Sequence, residues 1–165
     1  MSNEKQWYIF RHGLATHSKT GYGDRIYSAE VLPEGIPPIQ RLGQYMTLLP
    51  YDYGARSEFL RCQQTAGIVT EATGRSFTPD ARLNEHVSEP FEAVRDRVQR
   101  FVDEMNGSPY QHIWVCTHGM IIAALKNLIL HGSFTRRDEL DYTQPGQLLI
   151  LRGGAAEVVR FDEVL

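Results

Sequence analysis

Two histidines of this chain stand in the same setting. Phe10-Arg11-His12-Gly13 and Cys116-Thr117-His118-Gly119 each place a His just past an apolar run and immediately before a Gly. Imidazole titrates near neutrality and offers a ring nitrogen as nucleophile, base or hydrogen-bond donor. One such His alone fits a structural role as well as a chemical one. The repeated junction, with Arg11 beside the first His, favours chemistry. A further segment, Ser57-Glu58-Phe59-Leu60-Arg61-Cys62-Gln63-Gln64-Thr65-Ala66, puts Arg61 at the start of a predicted helix. Backbone N–H groups and the helix dipole favour an anion there, and a bound anion offsets the cost of placing an Arg at that end. The candidate site is one for an anionic group, drawn from Arg11, His12, Arg61 and His118.

These residues need a scaffold that brings three distant segments to one edge. Gln6 to Arg11 is a short aromatic and β-branched run ended by Gly13, which predicts a buried strand. Ile113-Trp114-Val115-Cys116 predicts a central strand, followed by a strongly apolar helix from Met120 to Leu130. Ile39, Leu42, Tyr45, Met46 and Leu49 have helical spacing, starting at Ile39 and stopped by Pro50. Arg61 to Thr73 predicts a second helix with Gly74 as its C-cap, and Phe91, Val94, Val98, Phe101, Val102 and Met105 a third, closed by Gly107. Leu148 to Leu151 and Val158 to Phe161 suggest a hairpin around Gly153-Gly154. Leu14 to Pro38, rich in Gly, Ser, Thr and Pro, reads as a long loop that binds something or closes over a site.

Strands alternating with helices indicate an α/β fold, a three-layer α/β/α sandwich with a mostly parallel central sheet and at least one antiparallel strand. In open α/β sheets ligands bind outside the carboxyl ends of the strands, where both His-Gly junctions fall. No repeat or linker divides the chain, so residues 1–165 are expected to form a single domain. Composition agrees: 165 residues with 42% hydrophobic and 22% charged side chains are ordinary for a globular protein. A net charge of −3 carries no footprint for nucleic acid or an anionic membrane. Two cysteines, Cys62 and Cys116, form neither a disulfide framework nor a metal-ligand spacing. The N-terminus leads into only four apolar residues, Trp7 to Phe10, too few for a secretory signal. A soluble, cytoplasmic protein is expected.

Taken together, Arg11-His12-Gly13, Ser57-x-x-x-Arg61-x-x-Gln64-Thr65-Ala66, Arg82-Leu83-Asn84-Glu85 and His118-Gly119 resemble the histidine phosphatase superfamily, which includes phosphoglycerate mutases and acid phosphatases. The likeness extends from Trp7 to about Leu151. It implies His12 as nucleophile, Arg11, Arg61 and His118 as phosphate-binding groups, Glu85 as general acid, and no metal or other cofactor. Such chemistry suits these side chains. Guanidinium forks match phosphate oxygens bidentately, a neutral imidazole can attack phosphorus, and an alkoxide leaving group needs a proton.

The chain departs from the family pattern in places. Ser18 stands where the family has an amide and is the loop's candidate phosphate contact; Glu58 replaces the usual Pro; His86-Val87-Ser88-Glu89-Pro90 replaces a Gly- and Trp-containing stretch. Arg95, Arg97 and Arg100, interleaved with Glu92, Asp96 and Asp103, read as a solvated, salt-bridged helix face. The expected activity is hydrolysis of a small-molecule phosphate ester through a phosphohistidine on His12, with the ester or inorganic phosphate as ligand. Alternatives are a phosphatase acting on phosphohistidine proteins, a phosphoglycerate mutase-type phosphotransferase, and a non-catalytic phosphate-binding module.

Overall fold

The computed structural model describes residues 4–15 and 26–162. Its elements, in chain order, are β1 (Gln6–Arg11), α1 (Ile36–Met46), β2 (Tyr53–Arg56), α2 (Leu60–Thr73), β3 (Thr78–Pro79), α3 (Phe91–Asn106), β4 (His112–Thr117), α4 (Gly119–His131), β5 (Gln147–Arg152) and β6 (Ala155–Arg160). The strands form one sheet in the order β3-β2-β4-β1-β5-β6. The pairs β2/β3, β2/β4 and β1/β4 are parallel; β1/β5 and β5/β6 are antiparallel.

Alternate residues of the central strands face opposite helical layers. Tyr8, Phe10, Trp114 and Cys116 pack with Ile39, Leu42 and Met46 of α1 and with Cys62, Ala66 and Val69 of α2. Trp7, Ile9, Ile113 and Val115 pack with Val94, Val98 and Phe101 of α3 and with Ile121, Ile122 and Leu125 of α4. Helices on both faces explain why β1 and β4 read as continuous apolar runs rather than alternating ones. The fold is the expected three-layer α/β/α arrangement around a mixed, mostly parallel sheet. No helix among the described residues is long and apolar enough to cross a membrane.

The closing hairpin turns at Gly153 and Gly154, both with positive φ (60° and 73°), the requirement of a two-residue turn matched to strand twist. Helix α1 starts at Ile36, three residues before the expected start at Ile39. Pro37 and Pro38 occupy its first turn, where a missing N–H leaves no intrahelical bond unmade. A 3-10 turn, Pro33–Gly35, precedes it, so the expected loop from Leu14 to Pro38 is shorter than its composition suggested. The two sides of that loop are tied together where Leu32 N–H donates to the Leu14 carbonyl at 2.8 Å. Strands β2 and β3 were not delimited by the sequence, since four and two residues are too few to show alternation.

The expectation for Arg97 is corrected. It is 9% exposed, lying between Val94 and Phe101 on the buried side of α3, and pairs with Glu89 at 2.7 Å. Arg95, by contrast, is only half-buried and pairs with Asp96.

Candidate active site

Parallel register brings the chemistry to one edge. Arg11 pairs with Thr117, and Arg56 with Cys116, so β1, β4 and β2 end side by side. Each ladder extends one residue further: His12 N–H donates to the Thr117 carbonyl at 3.1 Å and Ser57 N–H to the Cys116 carbonyl at 3.0 Å. His12, His118 and Ser57 are thus the first residues past three adjacent strands, and all three are buried.

His12 and His118 lie with ring centroids 5.2 Å apart. The Nδ1 of His12 lies 2.8 Å from the Gly13 carbonyl oxygen, a pure acceptor, so Nδ1 carries the proton and donates. Its Nε2 is buried without a hydrogen-bond partner among the described residues. Burial, then the charges of Arg11 and Arg61, push the His12 pKa down to about 3, so the ring is neutral.

His118 is held through the opposite nitrogen. Its Nε2 lies 2.8 Å from Ser57 Oγ. Ser57 has one hydroxyl proton, which goes to Asn84 Oδ1 at 3.1 Å, while Ser57 Oγ accepts from Phe59 N–H at 3.2 Å. The orientation of the Asn84 amide is set by Glu58, whose N–H donates to Oδ1 at 2.8 Å and whose carboxylate accepts from Nδ2 at 2.9 Å. With its proton committed, Ser57 Oγ can only accept from His118, so Nε2 carries the hydrogen. That leaves Nδ1 of His118 facing the Glu85 carboxylate, 3.9 Å from Oε2. Burial first, and then the neighbouring His12 ring and the guanidinium charges of Arg61 and Arg11, push the His118 pKa well below its usual value.

Arg61, the second residue of α2, is fully buried and donates to the Ile26 carbonyl. Its guanidinium lies over the Phe59 ring, whose edge also meets His118 at 5.2 Å. The α2 start is locked to the loop after β1 by Thr65, which accepts from Gly13 N–H at 2.9 Å and donates to the Arg61 carbonyl at 2.7 Å. Arg11 extends over the Tyr142 ring and donates to Gln144 Oε1 at 3.1 Å. Glu85 is partly buried, and its Oε1 accepts from His86 N–H at 3.0 Å. Burial is the largest influence on Glu85 and raises its pKa, against the opposing pull of that amide, Arg61 and Arg11. An open cleft of about 180 Å³ beside Arg11 and Glu85 is walled by Met120, Leu140 and Tyr142.

The structure therefore gathers Arg11, His12, Arg61, Glu85 and His118 into one constellation. Ser18, the remaining candidate, lies outside the described residues. Glu58 is exposed and bonded to Asn84 rather than pointed at the histidines. Sequence reasoning did not foresee the parts played by Asn84, Thr65, Thr117 and Tyr142. Ser57 and Thr65 belonged to a recognised motif, but the partners of a hydroxyl are invisible in one dimension. Geometrically, the group can receive an anion between two guanidinium groups and present to it one neutral imidazole with a free nitrogen and one carboxyl group that retains its proton more firmly than usual.

Residues 7–88 and 84–160 match the histidine phosphatase superfamily (branch 1). No curated protein matches the chain. Among solved structures, the alpha-ribazole phosphatase from Shigella flexneri is similar with a TM-score of 0.76 at 19% identity, covering 96% of each chain. A mycobacterial glucosyl-3-phosphoglycerate phosphatase, solved with VO3, has a TM-score of 0.76 at 18% identity, covering 94% of this chain and 96% of that one. A phosphoglycerate mutase from Bacillus anthracis has a TM-score of 0.72 at 14% identity, covering 98% of this chain and 94% of that one. At these identities the likeness is one of fold, and the match along the sequence is what decides membership: the chain belongs to the histidine phosphatase superfamily.

Proposed function

We propose that the protein is a metal-independent phosphomonoesterase that forms a phosphohistidine on His12 and uses Glu85 as its general acid. The observation that carries this reading is the state of His12: neutral, its Nδ1–H held by the Gly13 carbonyl, and its Nε2 buried with no partner among the described residues. A nitrogen without a hydrogen bond is a nucleophile whose lone pair needs no partner removed before attack.

In the first step the Nε2 lone pair of His12 forms the P–N bond as the ester P–O bond breaks. The departing oxygen takes the proton of the Glu85 carboxyl group. Burial favours that carboxyl's protonated form, which suits the role. Arg11 and Arg61 match the equatorial oxygens of the phosphoryl group in transit. His118, neutral amid these cations, takes a proton from solvent on Nδ1 once a phosphate dianion offsets the two guanidinium charges, and then donates to the phosphate through Nδ1. In the second step water attacks phosphorus and gives its proton to the Glu85 carboxylate, the P–N bond breaks, and phosphate leaves with His12 neutral again.

The test is to quench turnover of a ³²P-labelled phosphate ester and look for an acid-labile, alkali-stable phosphoryl-enzyme. The label is expected on the parent chain, and turnover is expected to survive EDTA. Abolition by EDTA with rescue by a divalent ion overturns the metal-independent reading. A phosphoryl-enzyme on any residue but His12 overturns the assignment of the nucleophile.

A further inference from the structure

The segment that carries Glu85 is irregular: residues 85–89 make no backbone–backbone hydrogen bond among the described residues. A general acid needs its carboxyl group held to within a fraction of an ångström, so something else must position it. Side chains supply the anchors. On the N-terminal side, Thr117 Oγ1 donates to the Leu83 carbonyl at 2.6 Å, and Asn84 is held by Ser57 and Glu58.

The other anchor comes from α3. Arg97 meets Glu89 in a fork, Nη2 donating to Oε1 at 2.7 Å and Nε lying 3.2 Å from both carboxylate oxygens. The remaining arm of the same guanidinium, Nη1, donates to the Arg82 carbonyl at 2.7 Å. Residues 82 and 89, the two ends of the segment, are thereby joined to one planar, rigid group. Glu89 passes the constraint inward, its carbonyl accepting from His86 Nε2–H at 2.8 Å, while the His86 N–H donates to Glu85 Oε1 at 3.0 Å. The chain of contacts runs from Arg97 to the carboxyl group without a gap.

A surface ion pair in this place would be worth little. This one is different, because Arg97 is nearly buried on the apolar side of α3, where an unpaired guanidinium is costly. We propose that Arg97, through Glu89 and His86, is a positioning residue that sets the reach of the Glu85 carboxyl toward the leaving group. The inference rests on Glu85 being the proton donor.

The experiment compares kcat and KM on an alkyl phosphate, glycerol phosphate, with those on p-nitrophenyl phosphate, whose phenolate leaves with little protonic help. Arg97→Lys, Glu89→Gln, Glu85→Gln and the double variant Arg97→Lys/Glu85→Gln are measured, with folding checked by circular dichroism and melting temperature. Arg97→Lys and Glu89→Gln are each expected to lower kcat on glycerol phosphate by ~10-fold or more, as misplacement of an acting group does. The expected change on p-nitrophenyl phosphate is less than ~3-fold and KM is expected to hold on both, since the group moved acts only where a proton is needed. In the Glu85→Gln background, Arg97→Lys is expected to add nothing further on glycerol phosphate.

Equal losses on the two substrates, or a loss that adds fully to that of Glu85→Gln, would mean Arg97 serves stability alone and would overturn the proposal. If Arg97→Lys unfolds, Glu89→Gln carries the same test. Glu85→Gln reports separately on the donor itself. No leaving-group dependence in that variant removes both the donor assignment and the clamp, whereas dependence there without it in the Arg97 and Glu89 variants removes only the clamp.

Discussion

His12 and His118 occupy equivalent places at the ends of two paired parallel strands, each followed by Gly, yet they offer opposite nitrogens to the site. His12 gives its Nδ1–H to the carbonyl of its own neighbour, Gly13, and leaves Nε2 buried with no hydrogen-bond partner among the described residues. His118 gives its Nε2–H to Ser57, 61 residues away, and turns its buried Nδ1 toward Glu85. The same side chain in the same local context thus acquires two characters. The proton partner of one ring nitrogen decides what the other can do. This difference makes His12 the proposed nucleophile and His118 the proposed donor to the phosphoryl oxygens.

The largest effect should come from removing that asymmetry at its source. His12→Ala is expected to lose at least ~10³-fold in kcat, because only binding and electrostatic stabilisation remain after a covalent nucleophile is deleted. No phosphoryl-enzyme should be trapped. A label that moves to His118 in this variant would show that the two rings are interchangeable after all.

His118→Gln comes next. Loss of one preorganised donor typically costs ~10²–10³-fold in kcat, and here the phosphoryl-enzyme should still form, though more slowly. Rapid-quench measurement of its formation separates the two rings, and a variant that forms none would merge their roles.

Ser57→Ala sharpens the comparison. It leaves the His118 imidazole in place but removes the acceptor that fixes its tautomer and strands a buried N–H, a penalty of about 1–3 kcal/mol. A fall of ~10-fold in kcat with little change in KM is expected, since each 1.4 kcal/mol in the barrier is a factor of ten. Gly13 offers no such handle, because its carbonyl belongs to the backbone. Parental kcat in Ser57→Ala would show that the tautomer of His118 is irrelevant.

The smallest effect is on stability. Both histidines have folded pKa values below 6.5, that of His12 falling to about 3, so the unfolded chain binds more protons between those pH values. Stability is therefore complete above about 6.5 and is lost as pH falls toward 3, with a slope of ~1.4 kcal/mol per pH unit for each proton taken up. The raised pKa of Glu85 has the opposite sign and offsets part of the loss just above 4.5, where the folded chain retains its proton. The melting temperature should drop on acidification from pH 6.5, and less so in His12→Gln; identical slopes in the parent and this variant would mean His12 is not buried neutral.

Much of this was legible beforehand. Apolar runs located β1, β4 and the closing hairpin, because burial in a covered sheet selects such runs directly, while helical spacing of apolar residues and bounding Gly or Pro located α1, α2, α3 and α4. Strands β2 and β3 escaped because their residues carry little pattern. In β2, Gly54 is required by the close approach of the Ser76 carbonyl, a contact that no local rule reveals. Arg97 was misread because a charge among charges suggests a wet face. Its spacing of three from Val94 and four from Phe101 was the overlooked sign that it shares their buried stripe.

The division is sharpest at the two histidines. The sequence by itself determined that they lie past two apolar strands, next to glycines. Which nitrogen of His118 remains free was decided only by tertiary structure. Its partner Ser57 arrives from the end of β2, and the proton of Ser57 is directed by Asn84 and Glu58, whose side chains meet only once the chain has folded. Hydrogen bonds between residues far apart in the chain fix protonation only when the elements carrying them are packed, and so the chemical identity of His118 is a property of the fold rather than of its neighbours in sequence.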